Sequence, residues 1–575
     1  MGLRGARFTK RAGHGARAVH WARGSTGRAS RPPRAPGAVV GSCLTGLSGT
    51  DRFVLVTTKV FTNARIITVD DERPAAEAVV VRGNRFAFVG SSEEAVRHAG
   101  DGAERHDLGG RTVVPGFNDN HVHALVMGDV SSQIDLAGLN EREIVAKLTQ
   151  HYPNPKPGRL IVGHGWDYPS CPNPHKDMLD EAFPNNPVVL IQFSGHGGWV
   201  NSRMLEKLGI TRGTPNPTGG TIVKDSSGEL TGILYDTAIS GYHNKRFIKM
   251  HLNRKLSRQY LASALREFRS HGITSVQDNT WIPTTLTHLN RMKRRGDLTC
   301  RFTCWAYGPS PFMARLFQLW RFDQQWVRRG PWKYFLDGTF STRTAWMTAP
   351  YAGEPSNFGT PIGGPERFEE IVDFLARRRR QGAFHAIGDR AVQEFINAVE
   401  RVRERRPQVT GLRLRLEHAQ LVRPEDVPRL RDLGILIAAQ PHAMADPDKD
   451  IGILGEQRAG EAYPYRRLID GGVHLSFGSD IPGEATFNPV YAIHMAVNRD
   501  AKRSITPFEA LKAYTLESAY AEFMEHEKGS ITKGKLADFA VLDSDITRCD
   551  PAVIGDTSVE MTVVNGDIVY ERGGS

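Results

Sequence analysis

The chain has 575 residues, 40% of them hydrophobic, and a formal net charge of +11. It is longer than one ordinary domain and apolar enough for a large buried core, yet no run approaches the roughly 18 uninterrupted apolar residues of a membrane span. The charge gives no support to nucleic-acid binding by the body of the protein, because residues 1–50 hold nine Arg or Lys and no Asp or Glu and so leave the rest close to neutral at +2.

Taken in chain order, the leader to about Arg52 is rich in Arg, Gly, Ala, Ser and Pro and lacks hydrophobic periodicity. Residues 1–55 are therefore expected to be disordered, as a plain basic tail or as an artefactual extension ahead of a true start near Val54. Acid-poor composition of this kind is also that of an organelle transit peptide, and no secretory apolar core follows the charges. From Val60 the chain reads as short strands at 60–69, 78–81 and 85–89, and the far end behaves alike at 537–542, 561–565 and 567–571, with Asn565-Gly566 a hairpin signal. Two strand-rich ends flanking a long middle predict one small composite β-sandwich, from residues 56–114 and 526–575.

The middle, 115–525, alternates strands and helices, which predicts a parallel sheet with crossovers. Its strand-like runs fall at 113–117, 274–278, 301–306, 333–336, 383–386, 412–417, 435–440 and 474–478. Eight is the number of a closed (β/α)8 TIM-like barrel, an α/β fold whose catalytic groups sit at the carboxyl ends of the strands. About 150 residues separate the first run from the second, far beyond one crossover. That gap holds its own strand-like runs at 160–162 and 188–193 and reads as an inserted subdomain at about 130–260, overhanging the barrel mouth. The five cysteines, at 43, 171, 300, 304 and 549, form no disulfide framework. Cys300 and Cys304 share a strand face about 13 Å apart, too far to bridge. Core thiols in a reducing cytoplasm are the expectation.

Within this frame the run Val114-Pro-Gly-Phe-Asn-Asp-Asn-His-Val-His123 is the most informative. On an extended segment His121 and His123 point the same way, and two converging imidazoles make half of a metal site. Four later segments each set a ligand or acid/base group near the end of an apolar run: Lys333-Tyr-Phe-Leu-Asp-Gly338, Gly382-Ala-Phe-His-Ala-Ile-Gly-Asp389, Arg413-Leu-Arg-Leu-Glu-His418 and Val473-His-Leu-Ser-Phe-Gly-Ser-Asp480.

With these segments in this order the chain resembles the amidohydrolase superfamily. More narrowly it resembles amidohydrolase family 3, the YtcJ-like branch that includes N-substituted formamide deformylases. The narrower likeness rests on Gly165-Trp166-Asp167, Gly195-His-Gly-Gly-Trp-Val-Asn-Ser202, Asp337-Gly338, His385-Ala-Ile-Gly-Asp-Arg-Ala391, Glu417-His418-Ala-Gln420 and Gln440-Pro-His442, and runs from about residue 58 to 572. The resemblance implies that His121, His123 and Asp480 hold a more buried divalent metal, that His385 and His418 hold a second, and that Lys333 bridges them as a carbamate formed with carbon dioxide. One or two metals per chain, zinc first among the candidates, would then activate a hydroxide. Asp480 would take the water proton and pass it to the departing nitrogen.

Blander readings stand beside these. Lys333 also fits an ordinary lysine beside Asp337, Ser479-Asp480 before Ile-Pro fits a turn with an Asx cap, and His385 and His418 fit buried, satisfied histidines. Trp166, His196, Trp199, Asn201 and Arg343 are candidate substrate contacts, as is His442 after the seventh run; aromatics there suit an apolar N-substituent, and each of these residues fits packing as well as recognition. His474 reads as structural and inside its strand, and Arg377 to Arg380 as a solvated helix face. The expected function is metal-dependent hydrolysis of a non-peptide C–N bond, in an amide or N-substituted formamide of a small molecule. A mononuclear deaminase or decarboxylase on the same barrel is one alternative, and a metal-loaded regulatory or binding protein without turnover is another. The expected partner is a small-molecule substrate, with no nucleic acid and no membrane, and homo-oligomerisation is compatible with the sequence.

Overall fold

The computed structural model describes residues 57–574, apart from 169, 193–196, 218–219, 281–283, 309–322 and 484–485. The readings of the 1–55 leader and of His196 lie outside the described residues.

Eight parallel strands make the central sheet: β1 (Phe117–Val122), β2 (Ile273–Asp278), β3 (Arg301–Tyr307), β4 (Val327–Phe335), β5 (Gly382–Ala386), β6 (Arg415–His418), β7 (Leu436–Ala439) and β8 (Leu475–Phe477). Each pairs with its sequence neighbour. The seam between β8 and β1 closes through a parallel bridge from Val122 to Ile481. There Asp480 N donates to His121 O at 2.7 Å and His123 N to Ile481 O at 3.0 Å. The residues expected to bind metal thus also close the barrel. Helices cover the outside with apolar faces of helical period; Asp389–Arg405, for example, buries Ala391, Val392, Phe395, Ile396, Val399 and Val402.

The first barrel strand differs from the sequence expectation. The run at 113–117 breaks at Gly116: Thr112–Pro115 pairs antiparallel with Phe539–Leu542 in another sheet, and β1 begins at Phe117. A Cβ on Gly116 would lie 2.2 Å from the Thr274 hydroxyl, so glycine lets the chain pass from one sheet to the next against β2. The run at 60–69 also splits, into Thr58–Thr62 and Arg65–Ile67, which join different sheets across a corner where Asn63 takes φ 54°. The sixth run starts late, at Arg415, because residues Pro407–Leu412 form a 3-10 helix and Arg413 turns with φ 49°.

The two chain ends build the expected β-sandwich. Its four-stranded sheet runs Arg85–Gly90, Ala78–Arg82, Thr58–Thr62, Glu104–Asp107; its six-stranded partner joins Arg65–Ile67 and Thr112–Pro115 to Phe539–Leu542, Val559–Val564 and Asp567–Glu571. Phe61, Val79, Phe86, Val113, Phe539 and Val563 fill the core between them. The Asn565-Gly566 signal holds: both residues have positive φ, 60° and 81°, as a two-residue hairpin turn requires.

Between β1 and β2 lies the inserted subdomain, a six-stranded sheet drawn from Ile134–Asp135 to Leu230–Asp236. Helix Ser240–Leu252 follows it. The next helix, Arg254–Ser270, already shares the barrel core, earlier than the edge expected near 260. It lies so close to helix Ala124–Val130 that a Cβ on Gly128 would meet Tyr260 O at 1.9 Å. No described helix is long and apolar enough to cross a membrane.

Candidate functional site

His121 sits near the carboxyl end of β1, and His123 follows the strand as the residue before helix Ala124–Val130. Together with Asp480, just past β8, they present ligand atoms within 4.8 Å of one another. Asp480 Oδ1 lies 3.1 Å from His123 Nε2 and 3.4 Å from His121 Nε2. Lys333, on β4, brings its Nζ to 3.4 Å from His121 Nε2. The rings of His385 on β5 and His418 on β6 stand 4.4 Å apart, and the His418 ring is 5.4 Å from that of His121. All six sequence-predicted residues therefore meet at one end of the barrel.

Their outer partners fix which nitrogen of each ring keeps a lone pair. His121 Nδ1 donates to Glu417 Oε2 at 2.7 Å, which leaves Nε2 free on the side of Lys333 and Asp480. His418 Nδ1 donates to Gln440 Oε1 at 2.7 Å, and the Gln440 amide is itself oriented by a bond to Ala438 O, so Nε2 is the free nitrogen. His385 is reversed: its Nε2 donates to Gly338 O at 3.0 Å, leaving Nδ1.

Burial and neighbouring charge keep this set ready for a cation. Burial, then the Lys333 charge, pull His385 down to about 4 and also lower His121. Burial, followed by His385, holds His418 well below its ordinary value. The rings are therefore neutral, the form that ligates metal. Burial brings the Lys333 amine down to about 8. Burial alone would raise the Asp480 carboxyl, but His121, the His123 hydrogen bond and His418 outweigh it and hold the group well below the carboxylate range. These three neutral imidazoles with the His123 ring, a carboxylate and a buried amine form a donor set that fits a divalent ion of the zinc type.

A buried polar layer supports these ligands from below. Glu417 takes Arg415 Nε at 2.9 Å as well as His121. Arg415 in turn bonds the Gln277 amide oxygen and reaches Asn120 O at 3.0 Å. The Trp305 ring lies beside both the Arg415 guanidinium, at 4.8 Å, and the Lys333 ammonium, at 5.8 Å. Asp337, buried after β4, accepts the N–H groups of Trp346, Ile387 and Gly388, and so ties the loop of β4 to the end of β5 beside His385. His418 and Asp480 have φ of 75° and 55°, a left-handed conformation unusual for such side chains. Backbone strain of this kind concentrates at functional sites.

The centre opens into a cleft of about 560 Å³ between barrel and insertion, which His123 and Asp480 reach directly. Val126, Ile191, Tyr242, Phe247 and Met250 give it apolar walls, and Gln133, His164 and the Asp129–Arg246 ion pair line its polar side. The expected substrate contacts mostly lie elsewhere. Trp166 and Trp199 are fully buried in the insertion's own core, edge to face at 6.2 Å, with Trp166 Nε1 donating to Leu190 O. Asn201 caps helix Ser202–Leu208 and accepts the Val188 N–H. Arg343 pairs with Glu354 on the loop after β4. His442 is buried against Tyr491, with Nε2 on Asn488 O at 3.2 Å. None of these lines the cleft among the described residues. His474, expected inside its strand, instead precedes β8, where it is half exposed and paired with Glu517. The Arg377 to Arg380 run closes helix Gly364–Arg378 at the surface as expected.

Residues 104–570 match the model of the amidohydrolase family. The chain is 31% identical to the Arthrobacter pascens N-substituted formamide deformylase over 89% of its own length and 98% of that protein. It is also 31% identical to YtcJ of Bacillus subtilis, named as an amidohydrolase, over 88% of its length and 98% of that relative. Among solved structures, a metal-dependent hydrolase from Pyrococcus furiosus superposes with a TM-score of 0.72 at 28% identity, covering 85% of this chain and all of that one. Because the match runs through the barrel and both halves of the sandwich, this chain belongs to the amidohydrolase family, as a hydrolase on a metal-dependent fold.

Proposed function

We propose that the protein hydrolyses a non-peptide carbon–nitrogen bond, in an amide or N-substituted formamide of a small molecule, at the cluster of His121, His123, Lys333, His385, His418 and Asp480. The observation that carries this reading is the convergence of imidazoles whose outer nitrogens are pinned to Glu417, Gln440 and Gly338, beside an ionised Asp480. One or two divalent ions held there, zinc by the donor set, would supply Lewis acidity for the substrate carbonyl and a water of lowered pKa.

The remaining roles belong to the chain. Asp480, at the floor of the cleft and within reach of His123, would accept the proton of the attacking water and return it to the leaving nitrogen. Lys333, with its amine lowered to about 8, keeps a neutral fraction that can add carbon dioxide and release a proton, giving a carbamate beside His121. The apolar cleft walls suit a hydrophobic N-substituent, and the likeness to a formamide deformylase supports that class. One observation favours a second reading: the compact three-residue group among the described residues is His121, His123 and Asp480, which suits one ion and a mononuclear deaminase or decarboxylase.

The test is turnover of a panel of N-substituted formamides and amides by metal-loaded protein, beside Asp480→Asn. Hydrolysis that falls about 10²–10⁴-fold in the variant, the contribution of a general acid–base group, supports the reading. A metal-loaded protein that turns over esters or deaminates amines but leaves every amide intact overturns it.

A further inference from the structure

Helices Arg254–Ser270 and Thr284–Arg295 border a groove of about 990 Å³ that shares no lining residue with the catalytic cleft. Arg254, Lys255, Arg258, Arg266, Arg291 and Arg295 line it, and among the described residues no acidic one does. Arg254 and Arg258 are four apart on one helix and Arg291 and Arg295 four apart on the other, so each pair shares a face, and Arg266 joins the first pair at the groove from further along its helix. Arg254 to Arg266 span about 18 Å along it.

Elsewhere on this barrel, arginines of the outer helices are matched to carboxylates: Arg401 and Arg405 to Glu369, Arg429 to Glu400, Arg466 to Glu509. The six cations of the groove make no ion pair among the described residues, and the one hydrogen bond from their side chains runs from Arg266 to the Ser263 hydroxyl at 3.2 Å. Like charges at this spacing repel, so the row costs stability unless a ligand supplies the counter-charge. The same field reaches the groove floor, where burial and then Arg291 and Arg254 lower the imidazole pKa of His288.

We propose that this groove binds a soluble small molecule carrying two or more phosphate groups. Guanidinium forks suit phosphate oxygens bidentately, and Ser131, Ser132 and Gln259 add neutral donors around them. The lining lacks Phe, Tyr and Trp among the described residues, so it has no platform for stacking nucleic-acid bases. Among the described residues its apolar members are Ala262 and Met292, too few to anchor a peptide.

Calorimetric titration of the full chain with inorganic tripolyphosphate, at fixed ionic strength, tests this. The expected result is saturable binding that weakens at least about tenfold in Arg258→Gln/Arg291→Gln, the effect of losing charge-assisted hydrogen bonds, and is unchanged in the surface control Arg431→Gln. Melting temperatures show that both variants fold. Weak binding that follows salt alone and survives the double substitution overturns the proposal. So does binding confined to vesicles of anionic phospholipid, or to single-stranded DNA, without binding of tripolyphosphate.

Discussion

Glu417 holds two buried groups at once, the Nδ1 of His121 and the guanidinium of Arg415. Glu417→Ala would free the His121 ring to rotate and leave Arg415 buried without its counter-charge. The expected outcome is a metal affinity lower by about 10–100-fold and a stability loss of about 3–5 kcal/mol. Metal titration and denaturant unfolding check these separately, and unchanged metal affinity in a folded variant would refute the orienting role. The sequence held a signal for this: Arg415 and Glu417 share the inward phase of β6, but a lysine or histidine at a strand end draws the eye before a carboxylate one residue earlier. Asn201 shows the opposite case. Its motif suggested substrate contact, whereas its side chain caps a helix and holds Val188. Asn201→Ala should lower stability by about 1–2 kcal/mol and leave KM unchanged; a raised KM at normal stability would restore it to the substrate.

Among the elements, seven of the eight barrel strands were legible as strand-like runs because a parallel sheet buried on both faces reads as largely apolar; the first, Phe117–Val122, was not, because its sequence is mostly polar. The strand edges were not legible either, because a single residue decides them. Gly116 hands the chain from the sandwich to β1 under the Thr274 side chain, and nothing in an apolar run marks which side of a glycine belongs to which sheet. Gly116→Ala should destabilise by about 1–3 kcal/mol through overpacking, read in denaturant unfolding, and a neutral substitution would show that the crossing has room. The paired tryptophans of the insertion were legible as aromatic but not as core: sequence spacing does not say whether a ring faces a cleft or its own sheet. Conversely Tyr242, Phe247 and Met250, which do line the cleft, sit on a helix whose sequence carries no motif.

In the whole molecule, buried ion pairs tie the sandwich to the barrel floor. Arg301 on β3 pairs with Asp538, and Lys528 pairs with Glu522, whose carboxylate also takes Asn118 of β1 at 2.8 Å. Burial alone would raise Glu522, but Lys528 and Arg328 outweigh it and hold the carboxyl below its ordinary 4.5. A depressed carboxyl contributes stability above its unfolded value and loses that contribution as pH falls through the folded one. His442, pulled by burial from 6.5 to about 4, acts in the same direction, because the unfolded chain takes up its proton first. Asp119 and Asp337, raised by burial to about 7, act in the opposite sense over that range, so the test is comparative: Glu522→Gln should be less stable at neutral pH with a shallower decline below 4.5. An equal slope in both proteins would remove Glu522 from the account. The central claim, a hydrolytic metal centre bridged through Lys333, is tested most directly by counting metal per chain by mass spectrometry, on protein produced with zinc and bicarbonate, beside Lys333→Ala. Two ions in the native chain, falling to one or none in the variant, are the predicted result; equal metal content in the two proteins, or no metal in either, would contradict it.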